Sequence, residues 1–400
     1  VSGLRARRLA ERRAQRRRAA RRNGMAAAAS VVVAVGTATG MVSALDDGRG
    51  SDEARPEVTE SPVLDIRPPA PSPSPSATKS ASASAVPKKK PSPTPSPART
   101  RTETGKQQPT TVSARLYRHP DSQVLDWVRA NPGDPRRDVI ASRIAGQPAA
   151  VWFAEYAPDT VTARVRTVTA GAAAQGRVPV VVAYTIPDRD CGGASQGGAP
   201  DLDAYDAWID RFAAGLGSGE VVVILEPDSI AQSECLSGGQ RADRFASLAR
   251  AGRVLKAANP EARVYYDAGH SGWHPAAKQA DLLRQAGAGS AGSSDGIFSN
   301  VSNFHRTADE IAYDRQVLAA LGGPAGLGAV IDTSRNGNGA PADGEWCDPD
   351  GRKLGRTPTL DTGEARIDGY LWVKLPGESD GCKGAPGTFT PSYAYDLASS

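Results

Sequence analysis

The sequence predicts an α/β fold: a distorted seven-stranded parallel (β/α) barrel, preceded by a disordered Pro/Ser-rich linker and an N-terminal membrane or signal segment. Three observations predict it. Seven short apolar runs recur, at 149–153, 179–184, 221–225, 263–266, 296–298, 329–331 and 370–373. Amphipathic helical patterns such as 202–216, 241–258, 276–286 and 308–321 lie between most of them. Strand and helix in alternation imply a parallel sheet, and seven strands in one globular stretch suggest a barrel. Ahead of them, the chain is too polar and too rich in proline to bury a core. An open doubly wound sheet would want a Gly-rich phosphate loop after an early strand, and none with that spacing is present.

The chain is heterogeneous in charge. Of its 400 residues, the first 112 hold 20 Lys and Arg against 9 Asp and Glu, while the rest hold 28 against 35. The basic balance therefore belongs to the leader, and a nucleic-acid partner is not expected. Residues 1–23, with LRARRLAERRAQRRRAARR, read as a basic cytoplasmic n-region. Residues 24–45 carry no charge and read as a signal peptide or a signal anchor. Val42, Ser43 and Ala44 suit cleavage, whereas the span is long for a signal peptide, so both outcomes stay open. Either way the following chain is expected outside the cell, secreted or anchored to the outer face of the membrane. Residues 46–112, with PSPSPSATKSASASAVPKKKPSPTPSPART, read as an extended spacer. Residues 113–400 are the expected folded domain, read as a monomer.

Cys191, Cys235, Cys347 and Cys382 all lie in that domain, and none forms a CxxC pair, which gives a zinc site little support. Two disulfides in an exported protein are expected instead. Three pairings are possible, of which the sequential one closes the shortest loops.

The run at 221–225 shows no alternation, as in a strand buried on both faces. It stops at Glu226, Pro227, Asp228 and Ser229, and Pro227 bars continuation of the strand, so the two carboxylates are held in a turn at its C-terminal mouth. Asp228 before Ser229 could instead cap a helix. The other runs end in similar chemistry: YTIPDRDC at 184–191, DAGHSGW at 267–273, SNVSN at 299–303, DTSRNG at 332–337 and KLPGESDG at 374–381. Carboxylates, amides and tryptophans thus gather at one mouth, where barrel enzymes keep their chemistry. There is no Ser–His–Asp set and no metal-ligand cluster such as HExxH, so neither metal nor cofactor is expected.

Such a mouth suits a sugar polymer. Hydroxyls need paired donors and acceptors, and pyranose faces need flat aromatic surfaces, for which Trp152, Trp273 and Trp346 are available. For Trp152, whose neighbours are apolar, core packing is the alternative. Cleaving an acetal needs one carboxylic acid kept protonated and a second carboxylate to handle water or stabilise positive charge. Carboxylates crowded together raise one another's pKa.

In this order, VVVAYTIPDRDCGGASQGG, VVVILEPDSIA, VYYDAGHSGWHP, SNVSNF, IDTSRNGNG, EWCDPDGRKLG and LWVKLPGESDG resemble the signature blocks of glycoside hydrolase family 6, cellulases that include endoglucanases and cellobiohydrolases. The resemblance covers nearly all of residues 113–400. It implies a distorted barrel of seven parallel strands and hydrolysis of β-1,4-glucan or cello-oligosaccharides with inversion. It makes Asp228 the general acid, Asp190 its assistant and Asp380 the carboxylate proposed as base, acting directly or through waters. An inverting pair stands roughly 6.5–9.5 Å apart to admit water. Tyr184 would press on the distorted ring, and Ser195 lies in a loop that positions water. Lys374, Glu378, His270 and Asn300 fall at sugar-binding positions, with Arg189 and Asp267 in the supporting polar network, which His270 also joins. Trp152, Trp273 and Trp346 match stacking platforms. The resemblance pairs Cys191 with Cys235 and Cys347 with Cys382. Two departures matter: the segment after Trp273 is short, and the stretch from Trp346 to Asp380 is compact. Exo-acting members roof the cleft with long loops there, so an open groove and internal cuts are expected. No carbohydrate-binding module is recognisable, which favours soluble or amorphous glucan. An idle glucan-binding surface protein, a hydrolase of mixed-linkage glucan and an exo-acting cellobiohydrolase are the competing readings.

Overall fold

The computed structural model describes residues 115–193 and 195–399. The expectations for residues 1–112 lie outside them. Seven strands, β1 Val151–Phe153, β2 Val180–Ala183, β3 Val221–Leu225, β4 Ala262–Asp267, β5 Gly296–Ser299, β6 Gly328–Asp332 and β7 Ile367–Leu371, pair in sequence order. Every pairing is parallel, as the alternation with helices requires. The helices are α1 Gln123–Ala130, α2 Arg137–Ile140, α3 Val161–Ala173, α4 Leu202–Ala213, α5 Gly238–Ala258, α6 Ala276–Gln285, α7 Thr307–Leu321 and α8 Pro391–Ser399.

Alternate residues of each strand enter two different cores, because successive side chains of a strand point to opposite faces. Val180, Val182, Val222, Ile224, Tyr265, Phe298 and Val330 pack together on one side of the sheet. Val181, Val223, Val264, Ile297 and Ala329 pack on the other, against Phe212, Leu248, Leu283 and Val317 of the helices. Burial on both faces explains why β3 shows no polar alternation. Each such side chain contributes about 1.5–3 kcal/mol.

The sheet curls until its edges touch. The Ala150 N–H donates to Trp372 O at 2.9 Å, and Trp152 Nε1 donates to Val373 O at 2.7 Å. No ladder joins β1 to β7, so the barrel is closed by contact and is distorted there. This explains a correction: β7 was expected at 370–373 and runs Ile367–Leu371. Residues 372 and 373 leave the ladder to meet β1, while Asp368, which accepts from Tyr265 Oη at 2.9 Å, breaks the apolar pattern of the strand's first half. Gly296 opens β5 at φ 148° opposite Gly328, where a side chain would strike the Gly328 carbonyl.

Helix starts follow local capping chemistry. Asp201 accepts from Ala204 N at 2.9 Å to begin α4. Ser237 and Gln240 form a reciprocal capping box that starts α5 three residues earlier than its apolar pattern predicts. The disulfides pair Cys191 with Cys235 and Cys347 with Cys382.

Candidate active site

All strands being parallel, their C-terminal ends share one rim. At the end of β2, Asp188, Asp190 and Cys191 take left-handed φ values of 54°, 54° and 47°. Asp tolerates this region better than most residues. The turn so formed aims the Asp190 carboxylate at Ser195, whose N–H and Oγ donate to Oδ2 at 2.8 and 3.0 Å. Ser195 Oγ is also 3.0 Å from Tyr184 Oη. Arg189 lies with its guanidinium carbon 4.3 Å from the Tyr184 ring centroid and donates to Ser195 O at 2.8 Å, to Ala154 O at 2.9 Å and to Tyr184 O. Asp190, Ser195, Tyr184 and Arg189 therefore form one connected cluster, with the Cys191 disulfide at its base.

At the end of β3, Glu226 and Asp228 both have positive φ, 52° and 68°, with Pro227 between them. The two point to different work. Glu226 is buried and ties β3 to β2, its oxygens accepting from Thr185 N at 3.0 Å and Ile186 N at 2.9 Å. Burial pushes it up to about 7 against those two N–H groups. Asp228 is half-buried, and its carboxyl accepts no hydrogen bond among the described residues. Burial pushes it up to about 8, with the Asp267 and Asp190 charges adding to the effect. No helix begins directly after Asp228, because residues 227–232 form turns, and the N–H groups of that turn are taken by Asp267 of β4, which accepts from Ile230 N at 3.0 Å and Ala231 N at 2.8 Å. Asp267 is thereby a structural support, while the raised pKa of Asp228 favours its protonated form.

The far side of the rim carries the third carboxylate. Asp380 Oδ2 receives Arg335 Nη1 at 2.7 Å and Asp348 N at 3.2 Å, while Oδ1 receives Lys374 Nζ at 2.9 Å. The loop beneath is organised by Asp348, whose carboxylate accepts from Asp380 N at 2.7 Å, Ser379 Oγ at 2.5 Å, Cys382 N at 3.0 Å and Lys383 N at 2.9 Å. Burial opposes the charge of Asp348, but these donors win and hold its carboxyl down to about 2. Asp332, at the end of β6, gathers Lys374 N, Ser302 N and Ser334 N at 3.0, 3.1 and 2.9 Å, joining three loops.

The aromatic residues differ in place. Trp152 is half-buried, packs edge-on against Tyr184 at 5.2 Å and spends its indole N–H on Val373 O. It is both part of the barrel's packing and a wall of the mouth. Trp273 is half-buried beside His270 at 5.2 Å, and His270 stacks on His305 at 4.2 Å. Burial, then the neighbouring His305 and His274, pushes His270 down to about 3, so it is neutral at ordinary pH. Trp346 is 56% exposed. Glu378 is pushed up to about 7 by burial against the Lys374 and Arg335 charges.

Asn300, expected at the sugar, is fully buried. Its Nδ2 donates to Asp332 O at 2.8 Å and His305 O at 3.2 Å, and its Oδ1 accepts from His305 N at 3.0 Å. Its amide is spent on the framework. Three residues that sequence reasoning did not single out prove central: Arg335, Asp332 and Asp348. One signal could have found Asp348. A Cys347 to Cys382 bridge brings residue 348 next to the segment that carries Asp380.

A parallel barrel whose mouth holds one carboxyl protonated by burial and a second bracketed by two cations defines a glycoside hydrolase of the two-carboxylate kind. A model of the family described as Glycosyl hydrolases family 6 matches residues 108–396. The chain belongs to that family. It is 55% identical over 287 residues to Endoglucanase 1 of Streptomyces sp. (strain KSM-9), covering 72% of this chain and 78% of the relative. To Endoglucanase A of Thermobispora bispora it is 51% identical over 284 residues, covering 71% of this chain and 61% of the relative. Among solved structures, the endoglucanase Cel6 from Mycobacterium tuberculosis, in complex with methyl-cellobiosyl-4-deoxy-4-thio-β-D-cellobioside, matches with a TM-score of 0.66 and 40% identity over 71% of this chain and 96% of that one.

Proposed function

We propose that the protein is an inverting endo-β-1,4-glucanase that cuts cellulose or cello-oligosaccharides within the chain. The observation that carries this reading is Asp228: a carboxyl at the cleft mouth, kept protonated to about 8 by burial and by two neighbouring carboxylates. In this mechanism Asp228 gives its proton to the leaving glycosidic oxygen. Asp190 raises the proton affinity of Asp228 and stabilises positive charge as the C–O bond breaks. Water attacks the opposite face of the ring and delivers its proton toward Asp380, directly or through further waters. Tyr184 and Ser195, linked to Asp190, press on the ring and order water. Trp152, Trp273 and Trp346 offer stacking faces, and Lys374 and Glu378 offer donors and acceptors to hydroxyls. His270, neutral, supports Trp273.

Internal cutting is supported by the short connection of residues 268–275 between β4 and α6, and by the endoglucanase names of the relatives. Export is supported by the basic and then uncharged N-terminal segment, with the domain released or anchored outside the cell and acting as a monomer.

Asp228→Ala tests the mechanism on two substrates. Activity on carboxymethylcellulose is expected to fall about 10²–10⁴-fold. An aryl cellobioside with a good leaving group needs no proton and should be cleaved far better by the variant than the polymer is. Full retention on carboxymethylcellulose overturns the assignment, and NMR of the first product must show inverted anomeric configuration.

A further inference from the structure

Behind the rim, α7 carries two carboxyls that the mechanism does not use. Glu310 and Asp314 stand one helical turn apart, on the same face, and both are fully buried. Each spends one oxygen on a hydrogen bond. Glu310 Oε1 accepts the Ser271 N–H at 2.9 Å, and Asp314 Oδ2 accepts Ser299 Oγ at 3.0 Å. The other oxygens, Glu310 Oε2 and Asp314 Oδ1, are buried without a hydrogen-bond partner. The charged and titratable groups that face the pair are Asp309 and Tyr313 from its own helix, and Tyr313 is faced in turn by Asp267 of β4. Ser271 and Ser299 face it from the ends of β4 and β5. No cation among the described residues forms an ion pair with either carboxyl.

Two buried carboxylates without a cation are strongly disfavoured as ions, and such groups neutralise instead. Two buried carboxyl oxygens without donors, carried one helical turn apart on the same face, are what a shared proton would satisfy, as in carboxyl pairs that cannot both ionise.

We propose that Glu310 and Asp314 share one proton between Oε2 and Oδ1, and that the pair clamps the His270 to Trp273 turn through the Ser271 N–H, making Glu310 a positioning residue for the stacking wall. The role at the wall rests on Trp273 as a glucan platform, the reading given above. Both carboxyls are shifted upward, by burial first, and Asp314 then by Glu310. Ionisation of the pair puts two like charges together and loosens Ser271, so glucan affinity weakens as pH rises.

Asp314→Asn replaces the mobile proton with an amide N–H that cannot leave. The wild type holds a proton in the folded state that its unfolded carboxyls release above about pH 4, so its stability falls as pH rises. The Asp314→Asn variant should lack that loss, its Tm gaining on the wild type by several degrees between about pH 4 and 8. Its KM for cellohexaose should stay flat at alkaline pH where the wild-type KM climbs. Glu310→Leu, which leaves the Ser271 N–H without its acceptor, should raise KM roughly tenfold with kcat little changed. An Asp314→Asn variant whose Tm follows the wild-type pH curve overturns the shared proton. A Glu310→Leu variant with wild-type KM, where Trp273→Ala raises it, overturns the clamp. Unchanged KM in Trp273→Ala overturns the stacking reading alone, and the Tm curves still decide the proton.

Discussion

Arg335 and Asp380 form a buried ion pair, Nη1 to Oδ2 at 2.7 Å, in which the arginine side chain has no exposure and the aspartate only 9%. Lys374 closes on the other oxygen at 2.9 Å. The Asp380 carboxylate, in the loop after β7, is therefore held by two cations and cannot swing. Arg335 in turn is fixed by its cation-π contact with the Phe304 ring at 4.4 Å and its bond to Tyr393 Oη at 3.2 Å.

Removing one partner of such a pair leaves the other charge buried and alone. Arg335→Met is expected to cost about 3–5 kcal/mol of stability, measured by urea unfolding. It should also lower kcat on carboxymethylcellulose much more than it raises KM. A variant of wild-type stability would show that the pair contributes little.

Asp190 acts on Asp228 through its charge. Asp190→Asn removes one of the two carboxylates that push Asp228 up, the other being Asp267. With Asp228 as the proposed acid, the alkaline limb of kcat/KM should move to lower pH in this variant, alongside a lower maximum. An unmoved limb would mean that burial alone sets the acid.

The raised pKa of Asp228 has a cost in stability. Below about pH 4 the carboxyl is protonated in folded and unfolded chains alike and the difference vanishes. As pH rises to about 8 the unfolded chain loses that proton and the folded chain keeps it, which penalises folding by on the order of a few kcal/mol. Asp228→Asn should therefore unfold at higher temperature than the wild type at pH 8 and at the same temperature near pH 3, while losing activity on polymer. Calorimetry across that range checks it.

Asp348 reaches the reaction only through the loop it holds. Asp348→Ala strips the acceptor from the N–H groups of Asp380, Cys382 and Lys383. A part-buried donor left unpaired, as the Asp380 N–H would be, costs about 1–3 kcal/mol, so lowered stability and a lowered kcat are expected together. Asp350→Ala, at an exposed carboxylate paired with Lys383, should leave both within experimental scatter.

The cores of the strands and helices were legible in the sequence because they depend on local period. Val221–Leu225 is apolar throughout since both its faces are covered, and α4, α5, α6 and α7 lie where their apolar spacing indicates, within a few residues. The blocks at the strand ends likewise carried the identity of the acidic groups, for in a parallel barrel every strand's end reaches the same rim. What the sequence could not carry was how each polar side chain is spent. Asp267 ties down the turn that follows Asp228, Asn300 turns its amide inward, and Arg335, Lys374 and Asp348 converge on one loop from separate stretches. The first half of β7 was hidden because Asp368 answers to Tyr265, more than a hundred residues away along the chain. Local pattern determined which segments become strands, and the chemistry standing after each. Only the curled sheet, which brings those ends together and takes water away from them, decided which carboxyl keeps its proton and which is held as an ion.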